Sequence, residues 1–285
     1  MTSLWAGLSI SLGQLQRYLD NPTVVTLEKD YRSWRFSLPA VTTCYKNRTD
    51  PAKMVKAIKK LWKVGPEDKR YPYYVRFVST VADSNLFDLQ GYEEFKDDGS
   101  LDVDLLSLAV EVVPELMMKT TSSQPVALQW IPVMTESGVC YVTNSVAIAD
   151  IALVKLDANA TKNFPITCQY SAMVCYIIFE VVKTSYYYLH SPYDVAKISD
   201  QPSTVFASVN RFIELSVTET RTGHGVRQLS PQRRSCFYHD ESDAGRQVYS
   251  TQMCRLSCRS RLALELCGCR PFYYFYETGP ACSLA

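Results

Sequence analysis

Ten cysteines carry most of the chemistry available to this sequence of 285 residues. Five lie between residues 233 and 271, at Cys236, Cys254, Cys258, Cys267 and Cys269, and Cys282 follows closely. Thiols at such spacings could close disulfides or hold zinc. Cys254-x3-Cys258 has the spacing of a zinc ligand pair, but Cys267-x-Cys269 is too tight to supply two good tetrahedral ligands, so bridges are favoured over metal. The pattern over residues 246–266 is helical, with Val248, Met253, Leu256, Leu262, Leu264 and Leu266 as apolar groups among strong helix formers. On that helix Cys254 and Cys258 leave one face a turn apart. Bridging them to each other would strain both, whereas a second antiparallel segment could meet them rung by rung. Gly268 can take positive φ and Pro271 cannot continue a helix, so Cys267-Gly268-Cys269 marks its end.

The rest of the chain supplies the elements that must position these thiols. Residues 36–44 read as a β-like segment. Asp50-Pro51 gives an N-cap followed by proline at the first helical position. Met54, Val55, Ile58, Leu61 and Trp62 then repeat at helical spacing opposite Lys53, Lys56, Lys59 and Lys60, a stripe that reads as a solvated face. Gly65-Pro66 ends this helix. Residues 71–91 are aromatic-rich and fit either helix or strand, and residues 101–118 are expected to be helical with a kink or break at Pro114. Residues 129–142 and 176–189 are β-like. His190-Ser191-Pro192 turns the chain, with His190 read as a turn residue rather than a ligand. The clearest period-two signal sets Val205, Ala207, Val209, Ile213, Leu215 and Val217 against Ser208, Asn210, Glu214, Ser216 and Thr218. It predicts a long, half-buried antiparallel strand. Cys168 and Cys175 fit a bridge across a turn and a pair of buried thiols equally.

Charge and motif content narrow the function. A formal net charge of +1 implies no polyelectrolyte partner, nucleic acid included. Ten cysteines and 19 tyrosines favour an oxidising compartment. Asn47-Arg48-Thr49 and Asn159-Ala160-Thr161 are N-glycosylation acceptors in a chain that faces the secretory lumen. Nucleotide loops, zinc-protease motifs and nucleophile elbows are lacking, and His190, His224 and His239 lie far apart, so neither an enzyme nor a cofactor is expected. Asp97, Asp98, Asp240, Glu241 and Asp243 read as carboxylates on solvated loops rather than as a proton sensor. No apolar run approaches the roughly 18–20 residues of a membrane helix. The opening has an apolar patch (Leu4, Trp5, Ala6, Leu8, Ile10, Leu12, Leu15) without the basic start and cleavage site of a signal peptide.

Four stretches in order carry a resemblance. The run Arg234-Ser235-Cys236-Phe237, then Tyr249-x4-Cys254-x3-Cys258-x8-Cys267-Gly268-Cys269-x-Pro271-Phe272-Tyr273, closely resembles the cysteine-rich thumb of the degenerin/epithelial sodium channel family, amiloride-sensitive sodium channels. Within it the match looks most like the insect pickpocket branch. Leu38-Pro39-Ala40-Val41-Thr42-Thr43-Cys44 is similar to the family's segment just outside the first membrane helix. Thr135-Glu136-Ser137-Gly138-Val139-Cys140-Tyr141-Val142-Thr143-Asn144 resembles its Thr-Glu-x-Gly-x-Cys-Tyr-x-x-Asn segment, and His190-Ser191-Pro192 its His-Ser-Pro segment.

The resemblance implies an α+β, disulfide-rich extracellular domain: an antiparallel β palm with helical finger and thumb elements. Residues 36–44, 139–144, 176–189 and 205–218 should then meet in one palm. It pairs Cys44 with Cys140 and Cys269 with Cys282. Cys236, Cys254, Cys258 and Cys267 would need partners beyond Ala285. Residues 1–20 would be the outer remnant of the first membrane helix, and residues 21–285 the palm, finger and N-terminal half of the thumb. With the second membrane helix absent, the chain reads as a fragment, and no pore residue can be assigned. The extra finger cysteines of most insect members are missing. The implied function is part of a ligand- or stimulus-gated channel conducting Na+, as transported ion, across the plasma membrane. Its partners would be homologous subunits, as a trimer, and the lipid bilayer, with this region extracellular. The competing expectation is a soluble, disulfide-stapled binding or decoy protein without channel activity. The lack of a spanning segment favours that alternative, and the missing signal peptide argues against it.

Overall fold

The computed structural model describes residues 2–27, 34–123, 128–156, 164–169, 175–207, 209–241 and 249–284. In chain order its longer helices and strands are α1 (Thr2–Asp20), β1 (Arg35–Ser37), β2 (Ala40–Tyr45), α2 (Pro51–Trp62), α3 (Tyr71–Asp83), α4 (Leu105–Val112), β3 (Met118–Ser122), β4 (Ile131–Thr135), β5 (Gly138–Thr143), β6 (Thr167–Gln169), β7 (Ile177–Val181), β8 (Ser185–His190), β9 (Ser203–Val205), α5 (Pro231–Arg234) and α6 (Thr251–Cys267). A five-stranded antiparallel sheet, in the order β4-β5-β2-β8-β9, forms the centre, with β1-β6 and β3-β7 as separate pairs. The mixed α+β class follows directly from this arrangement.

The sheet gathers the four expected palm segments only in part. Residues 36–44 split at Leu38-Pro39, because Pro39 has no N–H to give a ladder. Arg35–Ser37 pairs with Thr167–Gln169, and only Ala40–Tyr45 joins the main sheet. Residues 176–189 likewise split, with Ile177–Val181 on Met118–Ser122 and Ser185–His190 beside β2. The larger correction concerns residues 205–218. Strand pairing stops at Val205, and the described residues beyond it run exposed without a ladder, Phe212 being 87% and Val209 56% accessible. Alternation fits a half-buried strand only where an apolar surface lies beneath it, and none of the described residues supplies one. Ser208 lies outside the described residues.

Helix ends follow their chemistry. Asp50 accepts from the backbone N–H groups of Ala52 and Lys53, both at 3.0 Å, and Pro51 starts α2. Lys53 and Lys60 of the basic stripe lie 3.7 and 3.0 Å from Glu115 and Glu111. The expected helix over residues 101–118 is shorter: it covers Leu105–Val112, and Met118–Ser122 is a strand. Val113, ahead of Pro114, is extended (φ −65°, ψ 139°), as the clash with a following proline ring requires. The aromatic stretch over residues 71–91 resolves as helix α3. Helices α2, α3 and α4 bury Ile58, Phe77, Val78, Leu108 and Val112 together with Phe95 and Leu101. This finger core is continuous with Met134, Val139 and Tyr273 of the sheet side. Helix α1 is exposed all round. Among the described residues no helix is long and apolar enough to cross a membrane.

Candidate functional site: the junction of palm sheet and thumb helix

Thr135, Glu136, Ser137 and Gly138 form the turn of the β4–β5 hairpin, with Thr135 opposite Gly138. The Thr135 hydroxyl accepts the Ser137 N–H at 3.1 Å and donates to the Gly138 carbonyl at 2.9 Å. Gly138 sits at φ +86°, and a Cβ there would lie 2.9 Å from Arg48 Nη1. The backbone conformation therefore calls for glycine, and an added Cβ would also displace the end of the Arg48 side chain. Bent this way, the turn sends the Glu136 carboxylate inward, where its side chain keeps only 4% of its accessibility.

A buried carboxylate must be paired or hydrogen-bonded, and here three bonds do this. Arg259 Nη1, from the middle of α6, reaches the two oxygens at 2.7 and 2.6 Å. The Tyr274 hydroxyl donates at 2.7 Å. Burial, then the bond to Glu136, pushes the Tyr274 phenol far above its ordinary value. Arg259 is raised by its hydrogen bond to Glu136.

Local sequence fixes the thumb side of this contact. Ser250 caps α6 by accepting the Met253 N–H at 3.0 Å, and the helix begins at Thr251. Residues 242–248 lie outside the described residues. Gly268 closes the helix in the left-handed conformation, its N–H bonded to Leu264 O at 2.9 Å. The chain then turns through Phe272–Tyr274, pinned by the Cys269–Cys282 disulfide, whose Cα atoms are 4.9 Å apart. Met253 and Leu256 enter the same core as Cys44, Cys140 and Tyr274. Further clamps tie the thumb down. Asp194, just after His190-Ser191-Pro192, accepts the Gln252 N–H at 3.2 Å, and the Ser257 hydroxyl donates to Glu277 at 2.8 Å.

On the palm side, Cys44 and Cys140 are joined between β2 and β5 with Cα atoms 4.5 Å apart, the spacing of a directly opposed antiparallel pair without ladder bonds. His190 is the last residue of β8 rather than part of a free turn. Its Nε2 is 2.8 Å from the Thr42 hydroxyl and its Nδ1 3.0 Å from Ser191 O, and burial holds its pKa below the ordinary value. Asn144, buried and at φ +56°, donates to Leu38 O (2.8 Å) and Pro39 O (3.1 Å) and accepts the Ile166 N–H (2.7 Å). It thereby locks the bend between β1 and β2.

The family described as "Amiloride-sensitive sodium channel" matches the chain over residues 1–285. The chain belongs to this family. No curated protein matches it in sequence.

In this amiloride-sensitive sodium channel family member, Glu136 and Arg259 meet although 123 residues separate them. Arg259, Tyr274, Asp194 and Asn144 escape a reading of cysteine spacing. Glu136 and Asn144 lie inside a legible motif, whereas nothing in the pattern of α6 singles out Arg259 among its arginines. Cys168 and Cys175 are bridged, with Cα atoms 6.3 Å apart. Cys236, Cys254, Cys258 and Cys267 are free and exposed, the last three on α6 away from buried Met253 and Leu256. Asn47 is exposed, and its Oδ1 accepts the Thr49 hydroxyl at 2.9 Å, while Asn159 lies outside the described residues.

Proposed function

We propose that this chain supplies the extracellular region of a stimulus-gated sodium channel subunit, assembled as a trimer with homologous subunits at the plasma membrane. Sodium is the transported ion. Residues 21–285 act as the ectodomain, and residues 1–20 lead to the bilayer. The observation that carries this reading is the Glu136–Arg259–Tyr274 cluster. It couples a capped, 17-residue thumb helix to a palm hairpin that the Cys44–Cys140 bridge ties to its neighbouring strand. A displacement of the thumb therefore reaches the palm through short, buried contacts rather than dissipating in local unfolding. The free thiols of α6 serve as rungs for a second antiparallel segment, and exposed Asn47 is an acceptor for an N-glycan.

The test is electrical. Expressed in cells in a form flanked by membrane-spanning helices, the chain should give a sodium-selective current blocked by amiloride. A surface-expressed, correctly bridged chain that passes no such current would favour the soluble binding protein instead.

A further inference from the structure

Between the end of β2, the C-terminal end of α3 and the bend joining β7 to β8 lies an open cleft of about 730 Å³. That volume falls within the range of small-molecule sites. Tyr45, Lys46, Asn47, Asp83, Lys183 and Thr184 line it. The Lys46 N–H donates to Thr184 O at 3.1 Å, which holds the two lysine-bearing segments side by side. Both lysines are exposed, and the Lys183 ammonium lies 5.9 Å from the centre of the Tyr45 ring.

The charges around this cleft are unbalanced. Among the described residues, neither lysine forms an ion pair. Asp50, the carboxylate that senses Lys183, is occupied as the N-cap of α2. Asp83, the one acid in the wall, faces the buried Arg48 guanidinium. Two ammonium groups thus remain without a counter-charge of their own. Asn47 adds a neutral donor: its Oδ1 is engaged by the Thr49 hydroxyl and by the Thr49 N–H at 3.1 Å, leaving the Nδ2 hydrogens free to point at a ligand.

We propose that this cleft binds a small organic anion, a carboxylate or sulfonate, through Lys46, Lys183 and the Asn47 amide. The site is separate from the Glu136 cluster and does not depend on the channel reading. Because Asn47 Nδ2 is also where a glycan would attach, glycosylation there would remove one donor and crowd the mouth. Anion binding should therefore be weaker in the glycosylated chain.

Calorimetric titration of the full chain, prepared with and without N-glycans, with succinate and with methanesulfonate tests the proposal, with glycerol as the neutral control. Both anions should bind and glycerol should not. Lys46→Gln and Lys183→Gln should each weaken binding about fivefold, the loss of one partly exposed charge contact. Asp83→Asn should tighten it by a similar factor, read on protein shown to be folded by circular dichroism, because the change leaves the buried Arg48 without the carboxylate it faces. Absence of binding by either anion overturns the proposal. So do unchanged affinity in a folded lysine variant and weaker binding by Asp83→Asn.

Discussion

Replacing Arg259 by glutamine strands the Glu136 carboxylate. That side chain is 4% accessible and would keep only the Tyr274 hydroxyl, losing the two contacts at 2.7 and 2.6 Å. Breaking a buried pair by removing one partner typically costs 3–5 kcal/mol. The Arg259 side chain is 40% accessible, so water can partly replace it, and the lower end, about 3 kcal/mol, is expected. With a urea slope of about 3 kcal/mol per molar, the unfolding midpoint of the oxidised chain should fall by about 1 M. The double variant Glu136→Gln/Arg259→Gln removes the stranded charge while leaving an acceptor for Tyr274. It should cost about 1.5 kcal/mol less than Arg259→Gln alone, so that the two singles couple in the double-mutant cycle. A midpoint shift in Arg259→Gln too small to resolve, or a double variant whose cost is the sum of the two singles, would refute the reasoning.

Other expectations test the supports of this junction. Cys44 and Cys140 are 96 residues apart in sequence, so Cys44→Ala/Cys140→Ala should lose about 4 kcal/mol in denaturant unfolding, and a loss below about 1 would contradict the role given to the bridge. Gly138→Ala forces a side chain to φ +86° and into Arg48; it should cost about 2 kcal/mol, against no change if the turn can relax. Burial lowers the His190 pKa below its ordinary 6.5, so the unfolded chain binds more protons just below that pH. Stability should therefore fall as pH drops through 6.5 and level off below the folded pKa, and His190→Gln should flatten this slope. Ellman titration of the 285-residue chain under non-reducing denaturation should find four thiols, from Cys236, Cys254, Cys258 and Cys267, and fewer would mean a bridge among them.

Much of this architecture was legible because the signals were local. Asp50-Pro51 names a helix start and Gly268 a helix end, each through backbone chemistry that needs no distant partner, whereas residues 129–142, a single β-like segment by pattern, fold back as the β4–β5 hairpin. The thumb helix and the α+β class were readable for that reason. The failures share one cause. Residues 36–44, 176–189 and 205–218 have patterns whose outcome depends on a neighbouring strand or surface, whereas the break at Pro114 follows from the proline itself. Alternation alone predicts a strand at 205–218, but pairing there ends at Val205. The ion pair at the junction was hidden for a related reason: Glu136 and Arg259 meet only once hairpin and helix are docked, and α6 carries Arg255, Arg259 and Arg261 with nothing in the sequence to choose among them. His190 reads as a turn because His-Ser-Pro is turn chemistry, while the register that places it opposite Ala40 is a property of the sheet.

The central claim is that the thumb acts on the palm through Glu136 and Arg259, and current recording tests it most directly. The channel form of the chain should be compared with its Arg259→Gln and Glu136→Gln/Arg259→Gln variants, with amiloride-sensitive sodium current normalised to subunits at the cell surface. The account predicts a clear change in that normalised current for Arg259→Gln and a partial return towards the parent value in the double variant. Identical currents in all three forms would contradict it.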